Sequence, residues 1–435
     1  MSAVAANSVL SGIGVVIDDH VRTQDPEKDD IVDILGQIQE AGIPCLVYEK
    51  LPSPETCKHL VNVAFILLDW ELWRKPAAEL ELAGVNLGPE IQQQGVQANI
   101  AFLQGLKGTC FAPVFILSYL DPEGIKTELR AAGLLGANDN HAFIMVRRKS
   151  NLKRTADQSL MTAVNSWIAV NPSIYVLSHW KDAVTRSQNQ LFWDLYDKDP
   201  SWPSVLWETY QGEGDDPEHG LADILLRNLR ARLFPLSLKP EIVAPPAVPP
   251  PDRATTQAVL EASMIVPHES LPENQYGCGD ILKDEKGRLF INIRCDCDCL
   301  ARDGDDPNKI ELYLLPAQPM KDPMFLEEFW HPKFGLIQRN ATCHVLFPVG
   351  GKALRVRFGE LCQVLIGELK DHGAVRVGRL TPPYITQIRQ RFALHLQREG
   401  LPRIPNSAVP LGAAGAELPC ATSPSASTPM ARSSG

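Results

Sequence analysis

The sequence predicts an α/β fold with a doubly wound, five-stranded parallel sheet, followed by a helical extension and a β-rich C-terminal domain. Two observations carry this prediction. Apolar strand patterns alternate with helix patterns five times within residues 10–172, which is the order that places helices on both faces of a parallel sheet. From about residue 273, short strand patterns separated by turn residues replace that alternation, as expected for a β-rich domain.

The five predicted strands are short runs of apolar residues. They are GIGVVIDD at 12–19, PCLVYEKL at 44–51, VAFILLD at 63–69, APVFILSYL at 112–120 and HAFIMVRRK at 141–149. Helix patterns follow them at 26–42, 54–61, 88–106, 122–134 and 153–170. Continuous apolar runs of this length are typical of strands that are buried on both faces.

Changes in composition divide the chain. We predict a first domain at 10–172, a helical extension at 173–238, a Pro-rich linker at 239–256, a β-rich output or interaction domain at 257–405 and a disordered tail at 406–435. Prolines favour a stiff, extended linker, and the small and polar residues of the tail offer little apolar surface to bury.

Composition restricts the cellular setting and the partners. The net charge of −10 argues against nucleic-acid binding through a broad basic surface. No apolar run approaches the roughly 20 residues that cross a bilayer, and the first residues lack the basic segment of a signal peptide. Ten cysteines in 435 residues do not form a secreted disulfide framework. We therefore expect a cytoplasmic protein with reduced thiols, no membrane segment and no nucleic-acid partner; a homodimer stays open.

Polar residues of a matching kind end four of the predicted strands. Asp18 and Asp19 end the first, Asp69 ends the third, Ser118 lies near the end of the fourth, and Lys149 follows the fifth. In a sheet ordered 2-1-3-4-5, these strand ends lie at one edge, where ligands of parallel sheets collect. Each residue alone has a simpler reading as a helix cap, a solvated loop residue or a packing residue. Their combination in this order predicts a site.

The residue types of this set suit phosphoryl transfer. Three neighbouring acids repel each other, so a divalent cation is expected, and Mg²⁺ prefers such hard oxygen ligands. Asp69 would be the nucleophile that forms an acyl phosphate. The cation and Lys149 would neutralise charge on the phosphoryl oxygens, and Ser118 would donate a hydrogen bond to the product. Three other residues compete for the role of Lys149, namely Arg147, Arg148 and Lys153.

The motifs VVIDDH, FILLDW, FILSYL and VRRKS resemble the acid pair, phosphoacceptor, switch hydroxyl and lysine of response-regulator receiver domains, in particular an enlarged subfamily called response receiver. The resemblance covers about residues 10–172. It implies a flavodoxin-like receiver fold and a Mg²⁺ ion held by Asp18, Asp19, Asp69 and the backbone carbonyl of Glu71. The chain departs from the family pattern in the long segment after Asp69, in the tryptophans at 70 and 73, and in having no proline directly after the lysine.

The leading hypothesis is a phosphoacceptor signalling protein rather than a turnover enzyme. As the resemblance implies, Asp69 would receive a phosphoryl group from a partner histidine kinase and switch the C-terminal domain. Other components of the same two-component-like system would be partners, and some systems of this kind belong to bacterial defence against phage. One alternative is a Mg²⁺-dependent phosphohydrolase with Asp69 as nucleophile and Glu71 as general acid. Another is a degenerate receiver that is not phosphorylated and acts as a binding module.

A second candidate site lies in the segment INIRCDCDCLAR, where Cys295, Cys297 and Cys299 alternate. On a strand all three thiols would face one side and could bind zinc as thiolates, alone or together with Cys278. Zinc sites favour a C-x₂₋₄-C spacing, however, and no second pair follows. Packed thiols on a strand therefore stand as the preferred interpretation, and we predict no bound zinc.

Overall fold

The computed structural model describes most of the chain as two compact units, one up to Pro251 and the other from Asp252. The described residues are 9–21, 30–72, 89–136, 143–152, 154–155, 158–212, 216–244, 251–273, 275–302, 305–338, 340–399 and 405. The predicted tail at 406–435 lies outside them.

The first unit contains a five-stranded sheet. Its strands are β1 (Gly14–Ile17), β2 (Cys45–Tyr48), β3 (Phe65–Asp69), β4 (Val114–Ser118) and β5 (Ile144–Arg148). They are all parallel and lie in the order β2-β1-β3-β4-β5. The predicted α/β fold with a five-stranded parallel sheet is therefore confirmed.

Helices connect these strands. They are α1 (Ile31–Glu40), α2 (Pro54–Cys57), α3 (Pro89–Leu106), α4 (Pro122–Ala131) and α5 (Leu160–Ile168), with a 3₁₀ turn at Lys149–Asn151. Capping residues set several of their starts. The α5 helix begins later than the predicted residue 153, because Ser159 accepts the Thr162 N–H at 3.2 Å and is the N-cap of the helix.

The central strands are buried because apolar side chains pack on both faces of the sheet. Alternate residues of β3 belong to two different core clusters: Ile66 and Leu68 lie in one, and Phe65 and Leu67 in the other. At Gly14 a side chain would collide with the ring of Phe65, so glycine permits the close packing of β1 on β3. The whole of β3 is buried, including its last residue, Asp69.

A helical extension follows the sheet. It consists of α6 (Pro172–Tyr196), α7 (Trp202–Gly212), α8 (Pro217–Leu233) and the short α9 (Pro240–Val243). Ile174 and Tyr175 at the start of α6 are buried in the core of the first unit. The Tyr175 hydroxyl accepts the Lys239 N–H at 3.1 Å, which fixes the chain just before α9.

None of the helices in the described ranges is long and apolar enough, taken singly, to cross a membrane. Taken together, α5 and α6 are long and apolar enough, but the pair is bent by 105° at the break between the two helices.

The second unit is rich in β structure, as predicted. Its strands are β6 (Ile265–Pro267), β7 (Asp280–Lys283), β8 (Leu289–Asn292), β9 (Glu311–Pro319), β10 (Trp330–His331), β11 (Gly335–Leu336), β12 (Cys343–Val349), β13 (Lys352–Arg357), β14 (Cys362–Leu365) and β15 (Val375–Leu380). Eight of them form one antiparallel sheet in the order β12-β13-β9-β8-β7-β15-β6, with β14 paired to β9.

Within its described residues, the second unit contains the helices α10 (Arg253–Met264), α11 (Asp322–Glu328), α12 (Ile366–Asp371) and α13 (Tyr384–Gln397). Ile388 and Phe392 of α13 pack into the core of the large sheet.

The predicted linker at 239–256 contains helical structure at both ends. The α9 helix occupies its start, and α10 begins at Arg253, three residues before the predicted end of the linker. Asp252 caps α10, because its side chain accepts both the Thr255 N–H at 2.9 Å and the Thr255 hydroxyl at 2.8 Å. Residues 245–250 lie outside the described part of the chain, and the domain boundaries stay predictions.

Candidate functional site

Parallel pairing brings the ends of four strands to one edge of the first sheet. Ile17 pairs with Leu68, Asp69 with Leu117 and Ser118 with Arg148. Asp18 directly follows β1, and Lys149 directly follows β5. The side chains that end these strands are therefore near neighbours, although they come from distant parts of the chain.

The ammonium group of Lys149 joins two of the predicted carboxylates. Its Nζ atom donates to Asp18 Oδ2 at 2.7 Å and to Asp69 Oδ2 at 3.0 Å. The three side chains are almost entirely withdrawn from solvent, and carboxylates buried in this way are very unfavourable without a cationic partner. The competing side chains Arg147 and Arg148 are exposed. Lys153 lies outside the described residues.

The second carboxylate oxygen of Asp69 also has a partner. Asp69 Oδ1 accepts the backbone N–H of Glu71 at 3.0 Å. Burial raises the pKa of Asp69 to about 6, and the charge of Asp18 adds to this effect, while Lys149 opposes it. At neutral pH the Asp69 carboxylate is therefore mainly ionised and poorly solvated, which suits a nucleophile.

Asp18 and Asp19 provide carboxylate oxygens on the β1 side of the site. Asp18 Oδ1 accepts the His20 N–H at 2.8 Å, and the Asp18 N–H donates to the Tyr48 carbonyl at 2.9 Å, which fixes the end of β1. Partial burial raises the pKa of Asp19. The ligand atoms of Asp18, Asp19 and His20 lie within 4.8 Å of one another, so this corner of the site offers closely spaced donors for a cation.

The carboxylate of Glu71 occupies the end of β4. Its Oε2 atom accepts the Ser118 hydroxyl at 2.8 Å and the Tyr119 N–H at 2.7 Å. The receiver resemblance implies that Glu71 provides its backbone carbonyl to the metal ion, and the phosphohydrolase alternative makes Glu71 a general acid. The direct contact between its side chain and Ser118 was not predicted.

Two further residues of the site were missed from the sequence. Asn99 of α3 is buried, and its amide donates to the Trp70 carbonyl at 2.8 Å. The ring of Tyr119 lies 5.3 Å from Lys149 Nζ. Asn99 is a polar residue on the buried side of a helix, a signal that could have identified it. Tyr119 acts through its backbone and its ring, and it carries no comparable signal.

The cysteine cluster does not have the predicted strand geometry. The β8 strand ends at Asn292, and residues Asp296–Cys299 form a 3₁₀ turn, so the prediction that three thiols share one strand face is wrong. The turn forms because Asp296 accepts the Cys278 N–H at 2.7 Å and the Asp298 N–H donates to the Cys295 carbonyl at 3.1 Å. Cys299 is consequently buried, and Cys297 is exposed.

We predict that this cluster binds no stoichiometric zinc. Cys295, Cys297 and Asp298 have ligand atoms within 4.8 Å of one another. However, Arg389 donates to Cys295 Sγ at 2.7 Å and places a fixed positive charge beside that donor. Burial raises the pKa of Cys299 to about 11, which keeps the third thiol of the segment protonated and therefore a poor ligand.

Elemental analysis of the purified chain checks this prediction. We expect far less than one zinc per chain, with no change on Cys297→Ser or on the control Cys362→Ser, which removes another exposed thiol of the same unit. About one zinc per chain that disappears only in Cys297→Ser would contradict it.

No protein-family model matches this chain, and no curated protein is significantly similar to it.

Proposed function

We propose that the first unit is a phosphoacceptor domain of the receiver type and that Asp69 accepts the phosphoryl group. The observation that supports this most directly is the position of Lys149, whose ammonium group contacts both Asp18 and Asp69 at the carboxyl edge of the sheet. Ser118 ends the neighbouring strand. A buried nucleophile, a second acid, a lysine and a hydroxyl donor form a set of groups that suits phosphoryl transfer to a carboxylate.

The donors present fit Mg²⁺. Asp18, Asp19 and Asp69 would hold it together with the Glu71 backbone carbonyl, and carboxylate and carbonyl oxygens are the ligands that this ion prefers. When bound, Mg²⁺ supplies positive charge that offsets the negative charge of the phosphoryl oxygens.

The residues of the chain provide the remaining chemistry. An oxygen of Asp69 attacks phosphorus, the bond from phosphorus to the donor breaks, and the electron pair leaves with the donor. With acetyl phosphate the leaving group is acetate. With a phosphohistidine the leaving group is the imidazole. Its nitrogen keeps the electron pair of the broken bond and takes a proton from water. Lys149 stays beside the product oxygens and balances part of their charge.

The proposed donor is a histidine kinase, and the proposed consequence is a change in the C-terminal domain. Three further points stay predictions. They are binding to other components of the same signalling system, a role in phage defence, and formation of a homodimer.

The phosphohydrolase alternative receives less support from the geometry. That mechanism needs Glu71 to give a proton to the leaving group. Instead, Glu71 Oε2 accepts two hydrogen bonds, from Ser118 and Tyr119, which is the arrangement of an acceptor. A degenerate receiver would keep the same contacts without accepting a phosphoryl group. A labelling experiment therefore has to distinguish the degenerate receiver from the phosphoacceptor.

Labelling with acetyl phosphate and Mg²⁺ tests the proposal. The full-length chain should gain one phosphoryl group by intact mass, and the adduct should be labile to hydroxylamine and alkali, as an acyl phosphate is. Asp69→Asn should abolish labelling because the neutral amide cannot act as the nucleophile. The exposed Asp197→Asn serves as the matched control and should label like the parent.

Each contrary result has a distinct meaning. Labelling of Asp69→Asn at the parental level would exclude Asp69 as the acceptor. A parent chain that is labelled neither by acetyl phosphate nor by a phosphorylated kinase would favour the degenerate receiver. Steady turnover of a generic phosphate ester that requires Asp69 would favour the phosphohydrolase.

A further inference from the structure

The carboxylate of Glu71 fills a small group of hydrogen-bond donors at the end of β4. Oε2 accepts from Ser118 Oγ at 2.8 Å and from the Tyr119 N–H at 2.7 Å. The side chain is only 5% exposed, so its charge is largely withdrawn from water. Hydrogen bonds to a buried carboxylate are stronger than those between neutral groups, and they hold the side chain in place.

Both donors are oriented toward this position. Ser118 Oγ accepts the Leu120 N–H at 2.9 Å, so the proton of the hydroxyl goes to Glu71. The Tyr119 N–H can only donate. The pair therefore forms a site for one negatively charged oxygen, and in this state the oxygen comes from the protein itself.

We propose that Ser118 Oγ and the Tyr119 N–H form an oxyanion site, that Glu71 is its internal ligand, and that a phosphoryl group on Asp69 enters the site only by displacing the Glu71 carboxylate. The last part rests on the proposed function. Glu71 lies two residues after Asp69, and its N–H donates to Asp69 Oδ1 at 3.0 Å. The acceptor and the internal ligand therefore belong to one short segment at the same strand end.

The two occupants cannot share the site. A phosphoryl group brings additional negative charge, and two anions close together in a poorly solvated pocket repel each other strongly. Buried donors left without an acceptor are also unfavourable. Replacement of the carboxylate by a phosphoryl oxygen satisfies both conditions. Glu71 thus opposes phosphorylation, and its departure accompanies the phosphorylated state.

The first experiment compares rates of labelling by acetyl phosphate in saturating Mg²⁺. Glu71→Ala should label about tenfold faster than the parent or more, because the net value of hydrogen bonds to a charged group is at least of that order. Glu71→Gln keeps the shape but not the charge and should lie between the two. The control Glu128→Ala removes an exposed acid from α4 and should label at the parental rate. Thermal melts show that each variant is folded.

The second experiment does not depend on phosphoryl transfer. Inorganic phosphate is titrated into ¹⁵N-labelled protein, and the amide resonance of Tyr119 is followed by NMR. Glu71→Ala should show a saturable shift of this resonance. The parent should show none because Glu71 fills the site, and Glu71→Ala/Ser118→Ala should show none because the site lacks the hydroxyl donor.

The outcomes separate this proposal from the proposed function. Equal labelling rates in the parent and Glu71→Ala would overturn the competition, and the absence of phosphate uptake by folded Glu71→Ala would overturn the internal ligand. If no variant is labelled but Glu71→Ala binds phosphate at Tyr119, the proposed function fails and Glu71 remains the internal ligand of an oxyanion site.

Discussion

Replacement of Lys149 by methionine should destabilise the first unit by about 3–5 kcal/mol at pH 8 without metal, the usual cost of removing one partner of a buried ion pair. Lys149 contacts Asp18 at 2.7 Å and Asp69 at 3.0 Å, and both acids are buried. Methionine fills a similar volume but leaves two carboxylates without their shared cation. Urea unfolding of the full-length chain in the presence of EDTA, followed by circular dichroism, measures the loss.

Arg148→Met is the matched control for this variant, because it removes the neighbouring positive charge from an exposed position. It should change the free energy of unfolding by less than about 1 kcal/mol. The defect of Lys149→Met should be smaller at pH 5, where a carboxyl group can take up a proton. Addition of Mg²⁺ should restore part of the stability, because a ligand that binds only the folded state stabilises it. Equal stability of Lys149→Met and Arg148→Met would show that the lysine is not needed to bury the acids.

Replacement of Asp69 by asparagine should have the opposite effect on stability. Burial raises the pKa of Asp69 to about 6, whereas an aspartate in the unfolded chain has a pKa of about 3.9. The folded state therefore binds the proton more tightly, and ionised Asp69 opposes folding above pH 6. Asp69→Asn should stabilise the metal-free protein by up to about 3 kcal/mol at pH 8.

The gain should depend on pH in a defined way. It should be present in full above about pH 6, decrease as the pH falls from 6 to 4, and vanish below pH 4, where the carboxyl group is neutral in both states. Asp197→Asn, at an exposed position, is the matched control for this comparison. Unfolding curves of Asp69→Asn and the parent at pH 4 and pH 8 measure the difference. A stability loss in Asp69→Asn at pH 8 would mean that the contact with Lys149 outweighs the cost of burial.

The sequence predicts the parallel sheet because its signals are local and strong. The run Phe65–Leu68 is apolar throughout and ends in an acid, which identifies both a buried strand and its functional end. Alternation with helices then leaves few sheet orders, and the observed order is one of them. The same logic places Asp18, Asp69, Ser118 and Lys149 at one edge of the sheet.

Side-chain direction was much less predictable than position. Glu71 was expected to contribute through its backbone carbonyl or as a proton donor, but its carboxylate turns toward Ser118. This direction of the side chain depends on the Tyr119 N–H, which can donate to Glu71 only because β4 ends beside β3. Contacts between the ends of two strands do not leave a periodic pattern in the sequence.

The cysteine segment shows how a local pattern can mislead. Alternation of Cys295, Cys297 and Cys299 indicates a strand, yet a 3₁₀ turn forms because Asp296 accepts an N–H from Cys278, 18 residues earlier. The strand order of the second, antiparallel sheet is likewise not predictable from the sequence, since β9 pairs with β8, β13 and β14. Such pairings depend on long-range registers rather than on local propensity.

The contacts of Lys149 also have a consequence for the order in which the nascent chain can fold. This lysine lies 131 residues after Asp18 and 80 residues after Asp69. At a synthesis rate of about 5–20 residues per second, the ribosome adds the lysine roughly 4–16 s after Asp69. During that interval the two acids have no lysine with which to pair, so the centre of the sheet cannot exclude water around them at low cost. We therefore expect the junction of β1, β3 and β5 to close late, and we expect a chain released before β5 to keep an open, hydrated sheet edge around the two carboxylates.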